Sequence, residues 1–184
     1  AEDAALTLVA APAGYGKTTA VRAWCASLDA GLAWVTVDSG DNDPARFWRY
    51  VATAVDRVRP GLGRGALQRL SVPGSPIEDA VDELMNATAA FGSGLVIVLD
   101  DLHVVTDEEC LSTIDHALAH LPATACAVVI TRVDPALRLA QFRAGGEQAD
   151  HWSPAHTDLG NPRGRQQTDF SWRQDFPRGH EHRA

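Results

Sequence analysis

The chain has 184 residues, a hydrophobic fraction of 45%, a charged fraction of 22% and a formal net charge of −8 at pH 7. This composition is ordinary for a globular domain large enough to bury a core. The sequence excludes a membrane-spanning helix, because no apolar run approaches the required length. The net negative charge argues against direct DNA binding, because an acidic protein surface cannot neutralise phosphates and so gains no free energy from counterion release.

The first predicted element is a strand over residues 4–10, and a phosphate-binding P-loop follows it directly. The octet at residues 11–18 reads Ala-Pro-Ala-Gly-Tyr-Gly-Lys-Thr, with Ala at the first position in place of Gly. A helix over residues 17–27 should follow, so that loop N–H groups and the positive end of the helix dipole meet at one anion site. The candidate nucleotide-binding residues are Ala11, Gly14, Tyr15, Gly16, Lys17, Thr18 and Thr19.

Four of these residues have a defined role in phosphate binding. Gly14 and Gly16 allow backbone conformations and a close approach that a side chain would forbid. Lys17 can reach the β- and γ-phosphates, and the Thr18 hydroxyl can be a ligand of Mg²⁺. The motif predicts a nucleotide site with Mg²⁺; the alternative is a glycine-rich turn followed by a surface lysine.

A second strand and an amphipathic helix are predicted next. The strand covers residues 32–37 and the helix residues 44–58, with Asp43 as N-cap and Pro44 as the first helical residue. The apolar face of this helix is formed by Phe47, Val51, Val55 and Val58.

Residues 59–75, rich in Gly, Arg and Pro, are predicted to be a loop. The following helix is predicted to begin in a capping box at residues 75–78 and to end at residues 92–94, where two glycines occur. Its inward-facing residues are Ile77, Ala80, Val81, Leu84 and Met85.

A pair of carboxylates follows the apolar run at residues 95–99, which is typical of a strand buried on both faces of a parallel sheet. Ligands of open α/β sheets bind at the carboxyl ends of the strands, so Asp100 and Asp101 should face the same crevice as the P-loop. Asp100 is the candidate Mg²⁺ ligand, and Asp101 the candidate catalytic group that orients or deprotonates an attacking water. The alternative is that the two acids only end a strand.

The last predicted helix begins in a capping box at residues 106–109 and is closed by Pro122, and a strand over residues 126–130 follows. The inward-facing residues of this helix are Cys110, Ile114, Ala117, Leu118 and Leu121. Four strands joined by helices predict an α/β fold: a three-layer P-loop NTPase sandwich with a mainly parallel sheet.

Arg132 follows the fourth strand, beside the Asp-Asp strand. A guanidinium at that edge could pair with γ-phosphate oxygens, so Arg132 is a candidate catalytic residue that senses the nucleotide state. The alternative is a solvated arginine at the entrance of a loop.

Four motifs occur in an order that resembles a known family. They are the P-loop, residues 32–38 together with the segment Asp-Asn-Asp-Pro-Ala-Arg-Phe-Trp at 41–48, Leu-Asp-Asp-Leu-His at 99–103, and Thr-Arg-Val-Asp-Pro at 131–135. They resemble the nucleotide-binding module of the maltose-regulator-like, large LuxR-type transcriptional activators, which are bacterial signal-transduction ATPases of the STAND class. The likeness covers roughly residues 4–146, and the segment 41–48 is its most family-specific part.

The resemblance implies a switch between ATP and ADP with slow hydrolysis, and self-association in the ATP state. It also implies phosphate contacts by Gly16, Lys17 and Thr18, metal and water contacts by Asp100 and Asp101, and a sensor role for Arg132. The preference for adenine over guanine rests on this resemblance alone. The helix-turn-helix of that family does not occur in this sequence, so the chain itself is not expected to bind DNA.

The domain is predicted to cover residues 1–146 and a tail residues 147–184. The tail contains one branched aliphatic residue, Leu159, too little apolar surface to offset the entropy of ordering. We expect a disordered or frameshifted tail, a sheet that lacks a fifth strand beside the P-loop strand, and a chain that is a segment of a longer protein.

Three other functions remain open from the sequence. A small-molecule kinase would need an arginine-rich lid, for which residues 57–69 are the candidate. A DNA-processing ATPase would show a basic face, and an inactive remnant would lack a stable fold.

The remaining cysteine and histidine patterns predict no metal site. Cys25, Cys110 and Cys126 lie in apolar patterns without metal-ligand spacing, which favours buried, reduced thiols in a cytoplasmic protein. His116 and His120 are four residues apart, as in some zinc sites, but no third ligand is evident, so surface or packing histidines are expected. No chemical role is assigned to His103.

Overall fold

The structure is a computed structural model that describes residues 5–133 and residue 137. Its strands are β1 (Ala5–Ala10), β2 (Gly31–Thr36), β3 (Leu95–Asp100) and β4 (Ala125–Thr131). Its α-helices are α1 (Lys17–Cys25), α2 (Pro44–Val58), α3 (Arg64–Arg69), α4 (Ile77–Phe91) and α5 (Glu108–Ala119). The predictions about the tail and about a fifth strand lie outside the described residues.

The strands form one parallel sheet in the order β1-β4-β3-β2. Its register aligns one residue of each strand in a single row: Leu8, Val129, Leu99 and Val35. Every residue of the two inner strands, β3 and β4, is buried, which explains their uninterrupted apolar runs. The predicted α/β class with a parallel sheet is confirmed, and β4 separates the P-loop strand from the Asp-Asp strand.

Helices on both faces of the sheet form the three predicted layers. The larger core lies between the sheet and helices α2, α4 and α5, and its fully buried side chains include Phe47, Val81, Leu84 and Ile114. On the opposite face, Val21 and Cys25 of α1 pack on Val96, Val98 and Val128. All four strands run in the same direction, so their carboxyl ends and the P-loop meet at one edge. Of the helices in the part of the chain that the structure describes, none is long and apolar enough to cross a membrane.

The predicted N-cap of α2 is confirmed, whereas the one predicted for α4 is wrong. The Asp43 carboxylate accepts a hydrogen bond from the backbone N–H of Arg46 at 2.7 Å. Helix α4 follows Pro76, which offers no side-chain acceptor, so the capping box at residues 75–78 does not form. Two acidic residues in the first turn, Glu78 and Asp79, complement the helix dipole instead.

The cap of α5 is shifted by one residue from its prediction. Asp107, not Thr106, is the N-cap, and its carboxylate accepts from the Cys110 N–H at 2.8 Å. The Thr106 hydroxyl instead accepts a hydrogen bond from the side-chain amide of Asn42 at 3.2 Å. The Thr106 side chain, which the local spacing predicted to cap the helix, therefore makes a long-range contact with Asn42 instead.

Residues 59–75 were expected to be a loop, and this prediction is wrong because they contain α3. Two of the glycines in this segment, Gly63 and Gly65, allow close packing. A Cβ at Gly63 would lie 2.1 Å from the carbonyl oxygen of Ala52 in α2. Arg69 pairs with Glu83 of α4, Nε to Oε2, at 3.2 Å. The segment considered as a kinase lid is therefore packed against α2 and α4.

The three cysteines are free and buried, as predicted. Burial raises the pKa of Cys25 to about 11 and the pKa values of Cys110 and Cys126 to about 12. At neutral pH these thiols are protonated and pack as small apolar groups.

Candidate nucleotide site

The predicted P-loop connects β1 to α1. The N–H of Ala11 donates to the carbonyl of Thr131 at 3.2 Å, which continues the pairing of β1 with β4 into the loop. Gly14 and Gly16 have φ angles of +85° and +73°. Among the described residues, chain neighbours aside, no heavy atom lies within 4 Å of the position that a Cβ would take at either glycine. The glycines therefore permit the loop conformation and face open space.

Lys17 is the first residue of α1 and folds back over the loop. Its ammonium donates hydrogen bonds to the carbonyl oxygens of Ala11 and of Pro12, the second at 2.9 Å. The cation is thereby held above the loop by groups that a phosphate oxygen could replace. Of the other candidates, Tyr15 in the loop is 55% exposed, and Thr19 is exposed on the first turn of α1.

The structure brings together the two residues assigned to Mg²⁺. The Thr18 hydroxyl lies 3.1 Å from Oδ2 and 3.3 Å from Oδ1 of Asp100, and it donates to this carboxylate. Asp100 is only 4% exposed. Burial raises the pKa of its carboxyl; the Thr18 hydrogen bond opposes this rise, and the negative charge of Asp101 adds to it. Two hard oxygen donors thus meet at the edge of the sheet, next to the P-loop.

Asp101 has two basic neighbours. Its Oδ1 lies 3.4 Å from Nε of Arg132 and 3.7 Å from Nδ1 of His103. Asp101 also has a φ of +61°, and among the described residues it is the only non-glycine residue with a positive φ. Apart from glycine, Asp and Asn tolerate this left-handed conformation best. It turns the chain sharply after β3, so that Asp101 points along the edge toward the end of β4.

His103 was given no role from the sequence, yet it faces the predicted catalytic carboxylate. Its Nδ1 is buried and makes no hydrogen bond within the described part of the chain. The signal in the sequence was its place two residues after Asp101, inside the motif Leu-Asp-Asp-Leu-His. It is a candidate positioning residue for Asp101.

The segment at residues 41–48 supports this site without entering it. Oδ1 of Asn42 accepts hydrogen bonds from the backbone N–H groups of Thr106 and Asp107, at 2.8 and 2.9 Å. Trp48 donates from its indole to the buried hydroxyl of Thr113 at 2.8 Å. The Asn42 contacts tie the β2–α2 connection to the chain that follows Asp101, and the Trp48 contact ties α2 to α5.

We expect Asn42→Ala to lower the free energy of unfolding by about 1–2 kcal/mol, because two backbone donors lose their acceptor. Urea unfolding measures this. Asn86→Ala is the matched control, since Asn86 is exposed on α4 and its replacement should change the free energy by less than about 0.5 kcal/mol. Equal values for the two variants would show that the Asn42 bridge does not stabilise the domain.

Comparison with known proteins gives three kinds of similarity. A family model described as an AAA domain matches residues 1–133. The HTH-type transcriptional regulator MalT of Vibrio cholerae is 33% identical over 140 residues, which is 75% of this chain and 15% of that protein. MalT of Cronobacter sakazakii is 31% identical over 139 residues, with the same shares. The chain thus spans about 15% of the length of these curated relatives.

Among solved structures, the Aeropyrum pernix ORC1 protein in complex with DNA has a TM-score of 0.47 at 19% identity. The match covers 85% of this chain and 41% of that one.

Proposed function

This chain belongs to the AAA domain family and contains a nucleotide-binding P-loop module similar to part of the MalT regulators, and from this premise we propose that it is an ATP/ADP switch with slow hydrolysis. The observation that carries the proposal is the meeting of Thr18 and Asp100, with oxygens 3.1 Å apart, beside the open P-loop. The activity of a whole regulator, including promoter binding, is not attributed to this chain.

The residues present fit a nucleotide with Mg²⁺. Open space in front of Gly14 and Gly16 leaves room for phosphates to approach the backbone. Mg²⁺ takes oxygen ligands, and Thr18 and Asp100 would hold it, directly or through water. Lys17 would exchange its contacts with the loop carbonyls for contacts with phosphate oxygens. When bound, Mg²⁺ would neutralise charge on the β- and γ-phosphates.

Arg132 and Asp101 form the proposed switch. In this structure the Arg132 guanidinium lies 3.4 Å from the Asp101 carboxylate. Its side chain is 49% exposed, so it can rotate toward a γ-phosphate at the same edge of the sheet. That movement would release Asp101 to orient an attacking water, whereas ADP, which lacks the γ-phosphate, would leave the pair in place. ATP-dependent self-association, implied by the resemblance, belongs to the same proposal.

Two variants test the switch. Arg132→Ala should weaken ATP binding roughly tenfold and leave ADP binding nearly unchanged, since a charged hydrogen bond is worth about 1.5–3 kcal/mol. Asp101→Asn should bind both nucleotides and lose whatever hydrolysis the chain performs, because it removes a base and no phosphate donor. Calorimetric titrations and phosphate release measure these effects, and sedimentation of the same samples reports self-association.

Arg69→Ala is the matched control, because Arg69 is an exposed arginine whose ion-pair partners, Asp79 and Glu83, lie on α4. It should change neither affinity. If Arg132→Ala weakened ATP and ADP equally, Arg132 would be no γ-phosphate sensor.

A further inference from the structure

Helices α4 and α5 bring three metal-ligating side chains together outside the nucleotide site. Asp82 of α4 lies 2.7 Å, Oδ1 to Nε2, from His116 of α5. His120 directly follows α5, four residues after His116, and the two imidazole rings have centroids 4.3 Å apart. One ligand atom from each of the three residues lies within 4.8 Å of the other two. The sequence showed the two histidines but not Asp82, which lies 34 residues before His116.

This cluster, Asp82 with His116 and His120, is separate from the P-loop edge. Helix α5 ends at Ala119 and β4 begins at Ala125, so the last turn of α5 lies toward the amino ends of the strands. Asp100 and the P-loop lie at the opposite, carboxyl ends. The cluster is therefore unused by the proposed switch.

One hydrogen bond of the His120 side chain selects the tautomer of its neutral ring that can bind a metal. Its Nδ1 lies 2.8 Å from the backbone carbonyl oxygen of His116. A carbonyl only accepts, so Nδ1 carries a proton, and the neutral imidazole then has its lone pair on Nε2. Metal-binding histidines typically donate their second ring nitrogen to such an acceptor.

His116 and Asp82 share a proton that a cation can replace. One hydrogen lies between Nε2 of His116 and the carboxylate oxygen of Asp82. When this hydrogen is lost, both atoms can be metal ligands. That proton leaves to solvent or moves to Nδ1 of the same ring.

We propose that Asp82, His116 and His120 form a surface site for a divalent transition-metal ion, with Zn²⁺ as the best match. Two imidazoles and one carboxylate are a ligand set that zinc prefers, whereas Mg²⁺ and Ca²⁺ prefer oxygen alone. Tetrahedral zinc with bonds of about 2.0–2.1 Å needs ligand atoms about 3.3 Å apart. The Asp82 and His116 side chains are 49% and 30% exposed, and His120 is exposed, so small rotations can close the cluster around the ion. Water would complete the coordination, and the ion would link α4 to α5.

Zinc titration of the full chain, freed of metal by a chelator and without nucleotide, tests the site. We expect one equivalent of ZnCl₂ to bind in isothermal titration calorimetry. His120→Gln and Asp82→Asn should each weaken that binding at least tenfold, since even indirect partners of a metal site contribute about 10–100-fold. Co²⁺ should give a visible absorption band in the unmodified chain that both variants lose.

Other zinc ligands in the chain set the controls. The sequence contains His180 and His182, so the double variant His180→Gln/His182→Gln should retain the one-equivalent site. The three thiols are buried and protonated in the folded chain. Because His120 is exposed, His120→Gln should melt, without metal, at the same temperature as the unmodified chain. The proposal is overturned if no equivalent binds, if His120→Gln binds zinc as tightly as the unmodified chain, or if only the His180/His182 variant loses it.

Discussion

Lys17→Ala is expected to abolish the stabilisation that Mg-ATP and Mg-ADP give to this chain. A nucleotide at about a hundred times its Kd should add roughly 2.7 kcal/mol to the free energy of unfolding of the unmodified chain. In the variant the phosphates lose the one cation that the loop holds above them. Lys17 also donates to Ala11 and Pro12, so the variant without nucleotide should lose about 1 kcal/mol. Thermal melts with and without nucleotide separate the two effects.

Two controls sharpen this experiment. Lys17→Arg keeps a positive charge and should retain part of the shift, while Arg64→Ala removes an exposed cation on α3 and should retain all of it. Lys17 is also the only lysine in the sequence, so nucleotide should protect a single side chain from amine-directed labelling. An equal melting shift in Lys17→Ala and the unmodified chain would contradict the phosphate site.

The residues of the proposed nucleotide site could be chosen from the sequence because local patterns determine their positions. A strand, a glycine-rich loop and a helix follow one another without interruption, so the positions of Gly16, Lys17 and Thr18 depend on neighbours in the chain. Asp100 was located by a topological rule, since parallel strands all end at one edge. The sheet order then accounts for the contact between Thr18 and Asp100, which are 82 residues apart in the sequence.

The features that the sequence did not reveal depend on contacts between distant segments. Helix α3 looked like a loop because its glycines were taken as turn residues, whereas Gly63 is needed for close packing on Ala52. Thr106 had the right spacing for a cap, but Asn42 binds it from 64 residues away. The third ligand of the proposed zinc site was missed for the same reason. Local spacing shows which residues could act, and the tertiary fold selects among them.

Asp100→Asn is expected to stabilise the nucleotide-free chain while weakening its binding of Mg-nucleotide. Burial raises the pKa of the Asp100 carboxyl, so the ionised form that predominates above this pKa destabilises the folded state. Asparagine has nearly the same shape, keeps an oxygen for the Thr18 hydroxyl and carries no charge. The variant should therefore melt at a higher temperature than the unmodified chain at neutral pH. As the pH falls below the raised pKa of the folded chain the difference should shrink, and it should disappear below the ordinary pKa of an aspartate in the unfolded chain.

The same substitution should lower the affinity for nucleotide in the presence of Mg²⁺ by about 10–100-fold, which is about 1.4–2.7 kcal/mol. Affinity without Mg²⁺ should change little or even rise, because a negative charge near the phosphates is removed. Asp29→Asn, at an exposed position after α1, is the control and should alter neither melting nor binding. If Asp100→Asn melted lower than the unmodified chain at neutral pH, the buried carboxylate would stabilise the folded chain, and the expectation that its charge destabilises the nucleotide-free state would be wrong. A higher melting temperature combined with weaker Mg²⁺-dependent binding would show that the Asp100 carboxylate destabilises the folded chain and is needed to bind the metal.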